Sequence, residues 1–125
     1  MSIRSKAITW LATHHKATSG PVVTTKYYPP ERSWPKKHVW WPTITIQKID
    51  TTTEKYINIV CEKLPGSNDF YYLKVPVKFF KDHLKAFHIV KDKTISMYLS
   101  ADENNLFEEI RGTGRLDFGQ FLILE

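Results

Sequence analysis

From Lys26 the chain reads Lys-Tyr27-Tyr28-Pro-Pro-Glu-Arg32-Ser-Trp34-Pro-Lys36-Lys37-His38-Val-Trp40-Trp41, which places three of its four tryptophans within eight residues. Single-stranded nucleic acid is held where bases stack on aromatic faces and cations follow the phosphates. Tyr27, Tyr28, Trp34, Trp40 and Trp41 supply the rings, and Lys26, Arg32, Lys36 and Lys37 supply the charge. The first reading is therefore a binding domain for nucleic acid or another anionic ligand. The same rings would also line a slot for a planar or cationic small molecule, or form the interface of a homo-oligomer. Folding competes for these residues, because neighbours on a strand point to opposite faces. One of Trp40 and Trp41 is expected inside and the other outside. Trp34, in a proline-flanked loop, is the member expected to be presented to solvent at low entropic cost.

His38 is the best acid–base candidate. Nearby Lys37 favours a neutral imidazole at physiological pH. No sequence-adjacent carboxylate orients it, so a nuclease-like hydrolase is the third reading and an enzyme is not expected. His14 and His15 are adjacent, about 100° apart around a helix axis, and cannot act as an i, i+4 ligand pair. With no Cys near them and no His-Glu-x-x-His, neither a metal nor another cofactor is expected. Arg111-Gly-Thr-Gly-Arg115 is a weaker anion-site candidate: glycines let backbone N–H groups approach an anion, and Arg111 and Arg115 could fork onto it. A helix cap followed by a strand explains the same glycines without a ligand.

A chain of 125 residues, 42% apolar and 14% aromatic, predicts one domain over residues 1–125. Cys61 is the single cysteine, so no internal disulfide forms, and its place in an alternating run predicts a buried thiol. No stretch resembles a signal peptide or a membrane span, which predicts a soluble, cytoplasmic protein without a membrane partner. The net charge of +5 divides into +6 over residues 1–50, +3 over 51–100 and −4 over 101–125. The basic N-terminal half would attract an anionic partner, or else face the acidic C-terminal segment within the fold.

These residues need elements to position them. Ile3, Ala7, Trp10 and Leu11 share a helical face, predicting a helix over 4–16. A strand follows over 22–28, then a stiff extended loop from Pro29 to Pro35. A strand is expected from His38 to Ile49, with Pro42 at an edge or bulge. It should form a hairpin with 56–62 across Asp50–Glu54. Pro65–Asp69 marks a turn before a strand at 70–75, and Pro76 opens a helix carrying Val77, Phe80, Leu84 and Phe87. After a strand over 94–99, Ser100-x-x-Glu103 reads as a capping box for a short acidic helix that Gly112 ends. A last strand is expected over 116–124. The fold class is α+β: a mainly antiparallel sheet of about five to six strands, with two or three helices packed on it in a single layer.

Overall fold

In the computed structural model, which describes residues 3–15, 20–33 and 36–124, the first periodicity forms as expected. Helix α1 (Ile3–His14) buries Ala7, Trp10 and Leu11. The strand expected over 22–28 breaks at Lys26 into β1 (Val22–Thr25) and β2 (Tyr27–Tyr28), which enter different sheets. Pro30–Arg32 form a 3-10 turn, followed by β3 (Val39–Trp40), β4 (Thr43–Thr45) and α2 (Ile46–Thr51). Next come β5 (Tyr56–Glu62), β6 (Phe70–Pro76) and α3 (Val77–Asp82), and then β7 (His88–Val90) and β8 (Thr94–Ser96). Strands β9 (Leu99–Ser100) and β10 (Leu122–Ile123) complete an α+β fold. Trp34 and Pro35 lie outside the described residues, and with them the expected exposure of Trp34.

Ten short strands form three sheets among the described residues, ordered β1-β5-β6-β10, β2-β3-β9 and β4-β8-β7. Only β1 and β5 run parallel. The second and third sheets share one register. Trp40 faces Leu99 and Thr43 faces Ser96, so Trp41 and Pro42 lie opposite Tyr98 and Met97. Met97 N–H donates to the Pro42 carbonyl at 3.1 Å, but Pro42 has no N–H to return, and the ladder lapses there.

Strands β5 and β6 are buried on both faces. Ile57, Ile59, Leu73 and Val75 enter the main core, while Val60, Phe70 and Tyr72 pack beneath α1. Ile49 of α2 and Val77 and Phe80 of α3 join the main core. The expected single layer of helices is thereby corrected: α1 covers one face of the β5–β6 pair and the other two helices serve the opposite one. Trp40 sits in the main core, 2% exposed, stacked on Phe107 with ring centroids 4.9 Å apart.

Three local expectations fail for identifiable reasons. Residues 46–49 continue into α2 instead of a strand, because Thr45 Oγ1 accepts the Lys48 N–H at 3.2 Å and caps a helix whose Ile46 and Ile49 share a face. Strand β4 therefore pairs with β8 rather than making a hairpin with β5. The acidic helix after Ser100 is absent. Ser100 Oγ accepts the Asp102 N–H and donates to Asn105 Oδ1, while Asp102 Oδ1 accepts the Asn104 N–H, so side chains take the bonds a helix would need. The segment folds back instead, Phe107 N–H donating to the Ser100 carbonyl and Ser100 N–H to that of Glu108. Phe107 adopts φ +65°, and its ring is buried against Trp40. In the last segment only Leu122–Ile123 is a strand, preceded by a 3-10 turn over Phe118–Phe121 that Asp117 caps. No helix of the described residues is long and apolar enough to cross a membrane.

Trp40→Ala should lower the unfolding free energy by about 3–5 kcal/mol in urea titrations, and Trp41→Ala by less than half as much. Equal losses would show that Trp40 has no special place in the core. Cys61 is fully buried and burial pushes its thiol pKa up, so it should react with a thiol reagent only at the rate of unfolding.

Candidate functional site

Pairing of β2 with β3 sorts the aromatic segment by face. Tyr27 lies opposite Trp40 and Tyr28 opposite Val39. Trp40 takes the interior place that alternation reserves for one of the adjacent pair, and Trp41 is 41% exposed. Its backbone N–H donates to Thr25 Oγ1 at 2.8 Å and its indole N–H to Ser96 Oγ at 2.7 Å. Tyr28 and Tyr98 stand edge-on to it, at centroid distances of 6.0 and 5.4 Å.

Arg111 completes this face. Its guanidinium lies 4.6 Å from the Tyr98 ring centroid and 5.8 Å from that of Trp41, and it donates to Ser96 Oγ at 2.7 Å. A planar, weakly hydrated cation suits such aromatic faces. Trp41 of the segment 26–41 and Arg111, separate candidates in the sequence, thus meet at one place. Tyr98 and Ser96 were not anticipated there. Their signal was the register of a strand whose Ile95, Met97 and Leu99 point inward.

The loop at Arg111 owes its shape to an internal anion. Glu109 is 1% exposed, and its carboxylate accepts N–H bonds from Tyr98 at 3.0 Å, Arg111 at 2.9 Å and Gly112 at 2.7 Å. Backbone donors that could have gripped an external anion are therefore held by the protein's own carboxylate. A Cβ at Gly112 would lie 2.0 Å from the Ala86 carbonyl oxygen, so this close approach requires glycine. Arg115 pairs with Glu108 at 3.1 Å, which leaves Arg111 as the member directed at the aromatic face.

Tyr28 also borders a hollow of about 700 Å³ with Lys26, Pro29 and Arg32. Glu62 stands in its wall, accepting the Tyr27 and Gly66 N–H groups at 3.2 Å each. Lys36 and Lys37 are exposed, and the Ser33 hydroxyl holds their loop by accepting the Lys37 N–H and donating to the Lys37 carbonyl. Every ion pair among the described residues is local: Lys63–Asp69, Lys78–Asp82 and Arg115–Glu108. None of these pairs joins the basic N-terminal half to the acidic last segment.

Tyr27 borders that hollow and also a groove of about 550 Å³ above Trp40. Its hydroxyl shares a hydrogen bond with His38 Nδ1. Burial, and then the Glu31 carboxylate, raise the Tyr27 pKa, so the phenol keeps its proton beside the imidazole. His38 is thus oriented by a phenol and not by the carboxylate an imidazole base ordinarily uses. Among the described residues no three His, Cys, Asp or Glu side chains converge as metal ligands.

No protein-family model matches this chain, and no curated protein or solved structure matches it either.

With Trp34 replaced by Phe, acrylamide should quench Trp41 far more than Trp10 or Trp40, which are 8% and 2% exposed. Adding Trp41→Phe should then remove most of the quenchable emission. If quenching survives that change, Trp41 is not the exposed ring.

Proposed function

We propose that this protein is a small binding domain for single-stranded nucleic acid, with bases stacking on Trp41 and Tyr28 and phosphates held by Arg111, Lys26 and Arg32. The observation that carries the reading is the continuity of the aromatic–basic strip. The Trp41 ring centroid is 5.8 Å from the Arg111 guanidinium and 6.0 Å from the Tyr28 ring, and Tyr28 borders the hollow that Lys26 and Arg32 line together with Glu31 and Glu62. Stacking is tolerant of base identity because every base offers a π-face, so the domain would bind many sequences. The basic surplus of the N-terminal half, not tied by ion pairs to the acidic segment among the described residues, draws a polyanion toward the strip. Lys36 and Lys37 are exposed beside β3 and extend this positive field.

Oligothymidylate binding followed by fluorescence anisotropy tests the reading. Affinity should fall steeply with salt, each phosphate contact adding a slope of about −0.7 in log K against log salt. Changing Lys26 and Arg32 together to Ala should flatten the slope by about 1.4 if each holds one phosphate. Trp41→Ala should cost about 1–3 kcal/mol with the slope kept. Absence of binding at low salt sinks the proposal. So does a protein that sediments as a dimer and is dissociated by Trp41→Ala, since the strip would then be an interface between copies.

A further inference from the structure

The groove above Trp40 is lined by Tyr27 and not by Tyr28, and has a different chemistry. Trp40 and Tyr71 form its floor with Tyr27, and Leu64 and Leu106 stand along it, 60% and 36% exposed. Two large apolar side chains left in water beside an aromatic floor make a concave apolar surface, and about 550 Å³ lies within the range of small-molecule sites. The floor is rigid: the Trp40 indole N–H donates to the Glu62 carbonyl, and the ring is stacked on Phe107. A ligand entering there meets surface that is already ordered, so little entropy is lost in the protein.

The rim carries negative charge in an otherwise basic protein. Asp102 and Glu103 border the groove, and no ion pair among the described residues neutralises either. Lys63, the one ammonium lining the groove, is 3.3 Å from Asp69 and 4.9 Å from the Tyr71 ring centroid, so its charge is answered locally. Aromatic faces and carboxylates without a cationic partner both favour a cation and both disfavour an anion. His38 adds a ring nitrogen, Nε2, that makes no hydrogen bond to any described residue.

We propose that this groove is a second ligand site, separate from the nucleic-acid strip, that selects a small organic cation with an aromatic body, of the arylalkylamine class. The apolar part lies over Tyr27 and Tyr71 between Leu64 and Leu106, and the ammonium sits at the Asp102–Glu103 rim. Selection is by charge. The same aromatic body carrying a carboxylate meets the rim as a repulsion, and a neutral body gains only the floor.

Three probes separate these terms on the full chain: tryptamine, indole and indole-3-acetate, compared by calorimetric titration and by melting temperature. Tryptamine should raise the melting temperature and bind about two- to fivefold more tightly than indole-3-acetate, the scale of one exposed charge contact. The double variant Asp102→Asn, Glu103→Gln should lose most of that preference. Asn at 102 keeps the oxygen that accepts the Asn104 N–H, so the turn is retained. The variant should bind oligothymidylate no more weakly than the parent, since neither residue belongs to the strip. Equal binding of tryptamine and indole-3-acetate, no binding of tryptamine, or an unchanged preference in the double variant would each overturn the proposal. Loss of oligonucleotide binding with tryptamine selection intact would remove the strip and leave the groove standing.

Discussion

Trp40 occupies the seam between the sheets, and the hydrogen bond from its indole N–H to the Glu62 carbonyl, 2.6 Å long, connects them. The donor belongs to β3 of the second sheet and the acceptor to β5 of the first. A buried indole N–H left without a partner would carry the full desolvation cost of the group, so the bond sets how the sheets approach. The ring extends the connection. It stacks on Phe107 and meets Tyr71 and Tyr27 edge-on, drawing in the first sheet, β2 and the folded-back segment after β9. Tryptophan suits this position because one side chain supplies both a large apolar face and a directional donor.

That commitment explains how the remaining aromatic residues are distributed. With Trp40 inside, strand alternation turns Trp41 outward, and pairing of β2 with β3 sends Tyr27 toward the groove and Tyr28 toward the solvent face. The protein thereby presents two aromatic-lined surfaces about a two-residue strand, with different charged groups at their edges. One combines aromatic rings with Arg111, Lys26 and Arg32; the other combines aromatic rings with Asp102 and Glu103. Glu109 supports the first from behind, since its carboxylate fixes the turn from which Arg111 reaches Ser96 and the Tyr98 ring. A buried carboxylate is tolerable there because three backbone N–H groups solvate it.

The segment after Ser100 shows why a valid local signal can lose. Ser100-x-x-Glu103 has the residue types of a capping box, and the acids that follow suit a solvated helix face. Asp102, Asn104 and Asn105 compete by bonding the backbone in turns, and burying Phe107 against Trp40 favours a fold-back over a helix. A left-handed conformation at Phe107 costs of order 1–3 kcal/mol, less than or comparable to what burying a phenylalanine ring returns. The same logic applies at Thr45, where one side-chain acceptor turns the end of a strand pattern into α2.

Periodicity alone was enough to place α1, β6, the start of α3 and the inward set Ile95, Met97 and Leu99, because those patterns rest on apolar spacing that any fold must bury. It was also enough to say that Trp40 and Trp41 part company, since alternation is a property of the strand itself. Which of the two goes inside depended on the partner strand, and no local rule names a partner. The meeting of Arg111 with Trp41 is decided the same way: seventy residues apart in the chain, they are joined by the register of β3 and β4 with β8 and β9 and by the buried Glu109. Residue types determined that an aromatic and basic chemistry would be present. Only long-range pairing, which closes loops that sequence spacing does not specify, decided which rings meet which charges.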